Sequence, residues 1–256
     1  MRFSWLAAAL ALAAVPAAQA AEIRIISPGV ISNSGLGDVA AAFEKKTGVK
    51  VIIEVDGMGT IAGDIKTRTP AADVVMLPME LMGTTALSGS VDGAFFPLGR
   101  VEIGLFKKPD APMRDISTVP ALVAAMKTAS AVLYSDPGSG SMQAGMSERL
   151  LKRPDFAGVK GLPVKGDAEP ALKRGDGDAA AMGLGLIHGP HSPDNRPTAN
   201  PYLIGMLPAE LGMHMDMAMG RSTRSTADRR TITDFMLFAL SPQMRAVWQA
   251  KGVDRY

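Results

Sequence analysis

Residues 52–77, IIEVDGMGTIAGDIKTRTPAADVVML, hold two apolar β-branched runs on either side of a glycine-rich turn and a short amphipathic stretch. Ile61 to Thr67 reads as a helix, and Ala71 to Leu77 as a strand buried on both faces, because its apolar run is continuous. Upstream, Ile23 to Ser27 is a third β-branched run, and Val39 to Lys46 carries apolar residues at helical spacing. The order is strand, helix, strand, helix, strand. It predicts a parallel sheet with helices on both faces.

Downstream the pattern restarts. Gly99 to Lys108 reads as a strand, and DISTVPALVAAMKTA as a helix whose start is marked by Ser117 or Thr118 and Pro120. AVLYSDPGSGSMQAGMSERLLKR gives strand, glycine-serine turn and helix, and GDAEPALKRGDGDAAAMGLGLIHG gives helix, turn and strand. PHSPDNRPTANP reads as a proline-rich loop, YLIGMLP as a further strand, and the last helical stretch is split at Ser241-Pro242. A second α/β unit follows the first, with the junction near Gly99 to Ile103.

The chain of 256 residues opens on a short basic start, an apolar core over Trp5 to Val15, and Ala18-Gln19-Ala20. That is the pattern of a secretory signal peptide over residues 1–20 with cleavage after Ala20. The apolar run is too short for a membrane span. No cysteine is present, which removes disulfides, thiolate metal sites and a lipid anchor on cysteine. The net charge of +2 is interspersed and aromatics are few, which argues against nucleic acid. No phosphate loop, cofactor motif or nucleophile-base set is visible.

VAAAFEKKTGVKV, the Gly57 turn, PAADVVML, YSDPGSGS, LPAEL and ITDFMLFALSPQMRAVWQAKGV together resemble the periplasmic type II solute-binding proteins, in the branch similar to molybdate-binding proteins. The resemblance implies two α/β lobes joined by two crossing strands, with a ligand cleft between them. One lobe would be 21–99 plus 201–256 and the other 100–200, with GRVEIGLF and PYLIGML as crossings. It further implies a monomer in the periplasm, serving an ABC-type membrane transporter.

Ligands of such sheets sit outside the carboxyl ends of strands, where loops lead into helix N-termini. Three turns fit: one from Ser27 to Asn33, one at Gly57-Met58-Gly59-Thr60, and one from Ser135 to Ser141. They place Gly29, Ser32, Gly57, Met58, Gly59, Thr60, Ser139, Gly140 and Ser141 as candidate ligand residues. The resemblance adds Leu184 from the late strand. Molybdate binders of the branch place serines in the first two turns and a tyrosine at the late strand. This chain has Gly57-Met58-Gly59 and Leu184-Gly185-Leu186 there, so an organic di- or tricarboxylate is expected in preference to molybdate.

Arg100, on a crossing, is the expected partner of a second carboxylate. Lys66 and Arg68 read as solvated charges at a helix end. The branch also includes aconitate isomerase, so an enzyme is the alternative expectation. In it His188 would be the base that moves the allylic proton, with Asp56 and Glu80 behind it. His188 and His191 lack a visible third ligand for a metal, and His214 reads as core or strand.

Overall fold

The computed structural model describes residues 21–108, 110–166, 168–183 and 202–256. The first half is built on β1 (Glu22–Ser27), β2 (Lys50–Val55) and β3 (Val74–Pro78), with β1 in the middle and parallel to both. The second half repeats that arrangement. There β5 (Val132–Ser135) is parallel to β6 (Gly161–Val164) on one side and to β7 (Ala179–Gly183) on the other. In both halves the chain leaves the central strand in one direction and returns on the other side, which leaves a crevice at the carboxyl end of that strand.

β4 (Val91–Lys107) joins the halves. Val91 to Glu102 pair antiparallel with β9 (His214–Ser222), whereas Ile103 to Lys107 pair antiparallel with β7. The strand starts at Val91, eight residues before the Gly99 at which the sequence pattern places it. Its first part is hidden by Gly93 and Pro97, which break the apolar pattern, and the pairing with β9 shifts register near both. Tyr202 to Leu207, expected as the second crossing, instead supplies β8 (Leu203–Met206), which pairs with Gly104, Leu105 and Phe106. The chain therefore returns to the first half between Leu207 and His214, past the position 200/201 at which the sequence reading divided it.

The helices cover the sheet. α1 (Gly29–Ile31), a short π-helical segment and α2 (Gly37–Thr47) follow β1, and α3 (Met58–Asp64) follows β2. α4 (Met79–Leu87) follows β3. α5 (Val119–Lys127) begins at Thr118, whose side chain accepts the Ala121 N–H, so Thr118 rather than Ser117 is the cap. α6 (Met142–Leu151) and α7 (Ala168–Arg174) serve the second half, and α8 (Arg229–Ala239) and α9 (Pro242–Gln249) close the first.

Each half has its own core. Ile23, Ile25, Val74, Leu77, Ile232, Phe235 and Trp248 anchor the first, and Ile103, Leu122, Val132, Leu150 and Phe156 the second. Phe43 meets Phe235 edge to face, with centroids 5.3 Å apart, which ties α2 to α8. Met142 and Met146 of α6 pack against the first core, so part of the contact between the halves runs through flexible thioethers. No helix among the described residues is long and apolar enough to cross a membrane.

Candidate functional site

A cavity of about 250 Å³ lies between the halves, and its walls come from four strand ends. Pro28, Gly29 and Val30 follow β1; Val55 to Met58 surround the end of β2. Ser135 ends β5, Ser139, Ser141 and Gln143 follow it, and Gly166 follows β6. These are equivalent positions in the two modules. The fold therefore brings two crevices face to face.

The donors in the wall come from turn chemistry. In the β5 turn, Asp136 accepts the Gly138 N–H at 3.0 Å, and Gly140 takes a left-handed φ of 69° that suits glycine. This turn delivers Ser141 as the residue before α6, and no side chain caps the helix. The first-turn N–H groups of α6 have no carbonyls of their own helix to bond, and they carry the positive end of its dipole. Ser139 Oγ donates to Asp136 O at 2.6 Å and so stiffens the turn. At the end of β1, Ile31 N–H and Ser32 N–H both donate to Pro28 O.

Among the described residues of the wall, Asp56 is the one acid. Its Oδ1 accepts the Gly57 N–H at 2.8 Å, and its Oδ2 accepts Arg68 Nη2 at 2.6 Å. The Arg68 guanidinium, with Gly57 assisting and burial opposing, holds the Asp56 carboxyl below the usual carboxylate range. Arg68 was expected in solvent. It is instead largely buried among Asp56, Asp64 at 3.0 Å and Glu54 at 3.6 Å.

The structure brings Gly29, Gly57, Met58, Ser139 and Ser141 together in the wall, with Asp56. Gly59 and Gly140 do not line the cavity; they touch each other beside it. Thr60 is exposed outside the wall, and Ser32 Oγ is buried without a hydrogen-bond partner among the described residues. Gly57 to Thr60, read as a turn, include the first turn of α3, with Gly57 as its cap residue. Leu184 and His188 lie outside the described residues.

Arg100 is not in the wall. Its Nε and Nη2 reach Asp216 Oδ1 and Oδ2 at 2.8 and 3.1 Å, and Tyr256 donates to the same carboxylate at 2.5 Å. The guanidinium is thus spent on a fork-to-fork pair across two neighbouring strands. Glu80 is exposed and lines a different cavity, of about 340 Å³, with Arg149 and His214. Among the described residues no group of three or more His, Cys, Asp or Glu could hold a metal.

Ser135, the first residue of the third candidate turn, is not among the ligand residues drawn from the sequence, and Gln143 is absent from that turn; both are buried and line the cavity. The signal was available for each: Ser135 is the last residue of a buried strand, and Gln143 stands in the first turn of the helix that follows.

A family model for bacterial extracellular solute-binding proteins matches residues 33–254. No curated protein matches the chain in sequence. Among solved structures, the periplasmic molybdate-binding protein of Azotobacter vinelandii is 16% identical, with a TM-score of 0.70 over 90% of this chain and 98% of that one. The sulfate-binding protein of Mycobacterium tuberculosis is 14% identical, with a TM-score of 0.67 over 92% and 87%. The tungstate-binding protein of Desulfovibrio alaskensis is 14% identical, with a TM-score of 0.63 over 93% and 99%.

Proposed function

The chain belongs to the bacterial extracellular solute-binding proteins, and from that premise we propose that it captures a small organic anion between its two halves. The observation that carries this reading is the cavity wall itself. The end of β5 brings Ser135, Ser141 and the uncapped first turn of α6 to a cavity whose other walls are the ends of β1, β2 and β6. The relatives in this fold named for molybdate, sulfate and tungstate support an anion as the class of ligand.

Val30, Val55 and Met58 give part of the wall an apolar character that an inorganic oxyanion would not use. A carboxylate head on the donors, with a short carbon body against these three, uses both. A cavity of about 250 Å³ lies below the size typical for drug-like ligands, which favours a metabolite of a few carbons. The second carboxylate of a di- or tricarboxylate finds no Lys or Arg among the described lining residues. One anionic head is therefore the essential feature.

Of the isomerase alternative's three candidate bases, His188 lies outside the described residues, and the other two lose support on the same geometry. A carboxylate held below its usual range is a weak base, and that is the state of Asp56. Glu80 belongs to the other cavity. Capture without chemistry is the reading we carry forward. In it residues 1–20 direct export to the periplasm, and the protein, as a monomer, hands its ligand to an ABC-type transporter.

Thermal shift of the purified protein against molybdate, sulfate, citrate, malate and cis-aconitate tests the reading, with chromatography of the cis-aconitate sample for the trans isomer. Stabilisation by an organic anion without turnover is expected. Formation of trans-aconitate, or stabilisation by molybdate alone, would overturn it.

A further inference from the structure

Asp56 poses a problem for any anion that enters the cavity, because it is a carboxylate facing a negative guest. Its side chain is about a third exposed. One oxygen holds Gly57 N–H and the other Arg68. A carboxylate offers about four acceptor positions, so two remain beyond these partners on a side chain that lines the cavity. Arg68 gives little compensation, since it does not line the wall and is shared with Glu54 and Asp64. Three carboxylates surround that one guanidinium.

An unprotonated ligand oxygen against Asp56 would set acceptor against acceptor and like charge against like. A ligand oxygen that carries hydrogen would instead donate to a charged acceptor, one of the stronger hydrogen bonds. Resting on the anion-capture reading, we infer that Asp56 selects ligands that present a hydrogen-bond donor beside their anionic head. The class comprises hydroxycarboxylates and protonated oxyanions, and it excludes donor-free anions of the same shape. The Asp56–Arg68 pair serves this selection by keeping the acceptor ionised, and the Gly57 N–H fixes its orientation.

Matched pairs differing by one donor test the inference by calorimetry on the purified protein. Malate against succinate probes the organic source of the donor, and hydrogen phosphate against sulfate the inorganic one. At least one donor-bearing member should bind about tenfold or more tighter than its partner, the order expected for a hydrogen bond to a charged acceptor. Asp56→Asn keeps the shape and an acceptor for Gly57 N–H but removes the charge. It should shrink the ratio to within about threefold, mainly by strengthening the donor-free member.

Equal binding of both members of every pair that binds would overturn the inference and leave anion capture standing. Equal weakening of both members by Asp56→Asn would assign Asp56 to turn structure alone, and would overturn it as well. If no tested anion binds, the anion-capture reading fails and takes this inference with it.

Discussion

Gly59 and Gly140 touch backbone to backbone across the two halves: a Cβ built on either would come within 2.9 Å of the other's Cα. Gly59 lies in α3 of the first half, and Gly140 in the turn before α6 of the second. The walls of the cavity can approach this far because neither residue has a side chain.

Gly59→Ala separates two effects. Alanine stabilises a helix by about 0.5–1 kcal/mol over glycine, but its methyl meets the Gly140 backbone, so the unliganded protein should melt at the same or a lower temperature. The added methyl should hold the halves apart and weaken anion binding by about tenfold or more. Calorimetry beside a melting curve reads both, and an unchanged affinity would show that the contact does not govern closure.

Arg68→Met leaves Glu54, Asp56 and Asp64 without their shared cation. At pH 7 the loss should cost about 1–3 kcal/mol, after allowance for solvent screening of the carboxylates. The sign with pH follows from Asp56, whose folded pKa is depressed by Arg68. Its contribution is present above the unfolded value, about 3.9, and is lost as pH falls through the folded value. Urea unfolding should therefore show the wild type and the variant converging from pH 7 to pH 3. A constant gap would mean that Arg68 acts through packing alone.

Tyr256 donates to Asp216, and burial first, then that carboxylate, push its phenol up to about 12. A group with a raised folded pKa contributes stability that is full below the unfolded value, near 10. That contribution is lost as pH rises through 12. Absorbance titration of the three tyrosines should show a late phenol that moves back toward 10 in Asp216→Asn. Identical curves for wild type and variant would remove the coupling.

Arg100→Ala should lower stability by no more than about 1 kcal/mol, since the Arg100–Asp216 pair is partly solvated. Its effect on binding should be equal for malate and lactate. A selective loss of the dicarboxylate would return Arg100 to the cleft.

The alternation of strands and helices was legible because the strands are short, mainly apolar runs and helices begin on ordinary signals, Thr118 before α5 and Pro242 at the start of α9. The glycine turns were legible for the same reason, since few other residues follow a buried strand in that way. What escaped depends on pairing between distant segments. Val91 to Leu98 gain strand structure from β9, more than a hundred residues on, and nothing local announces it. The same holds for Arg100, whose partner Asp216 is 116 residues away. Arg68 looked solvated because its spacing from Asp64 was visible but the approach of Asp56 and Glu54 was not.

The central claim is that the ligand sits at the four strand ends. Titrating the isotopically labelled protein with malate and following backbone amide resonances tests it directly. The account predicts shifts at Gly29, Val30, Gly57 and Met58 in the first half and at Ser139 to Ala144 in the second. Shifts confined to Glu80, Arg149 and His214 would place the ligand in the other cavity and contradict the account.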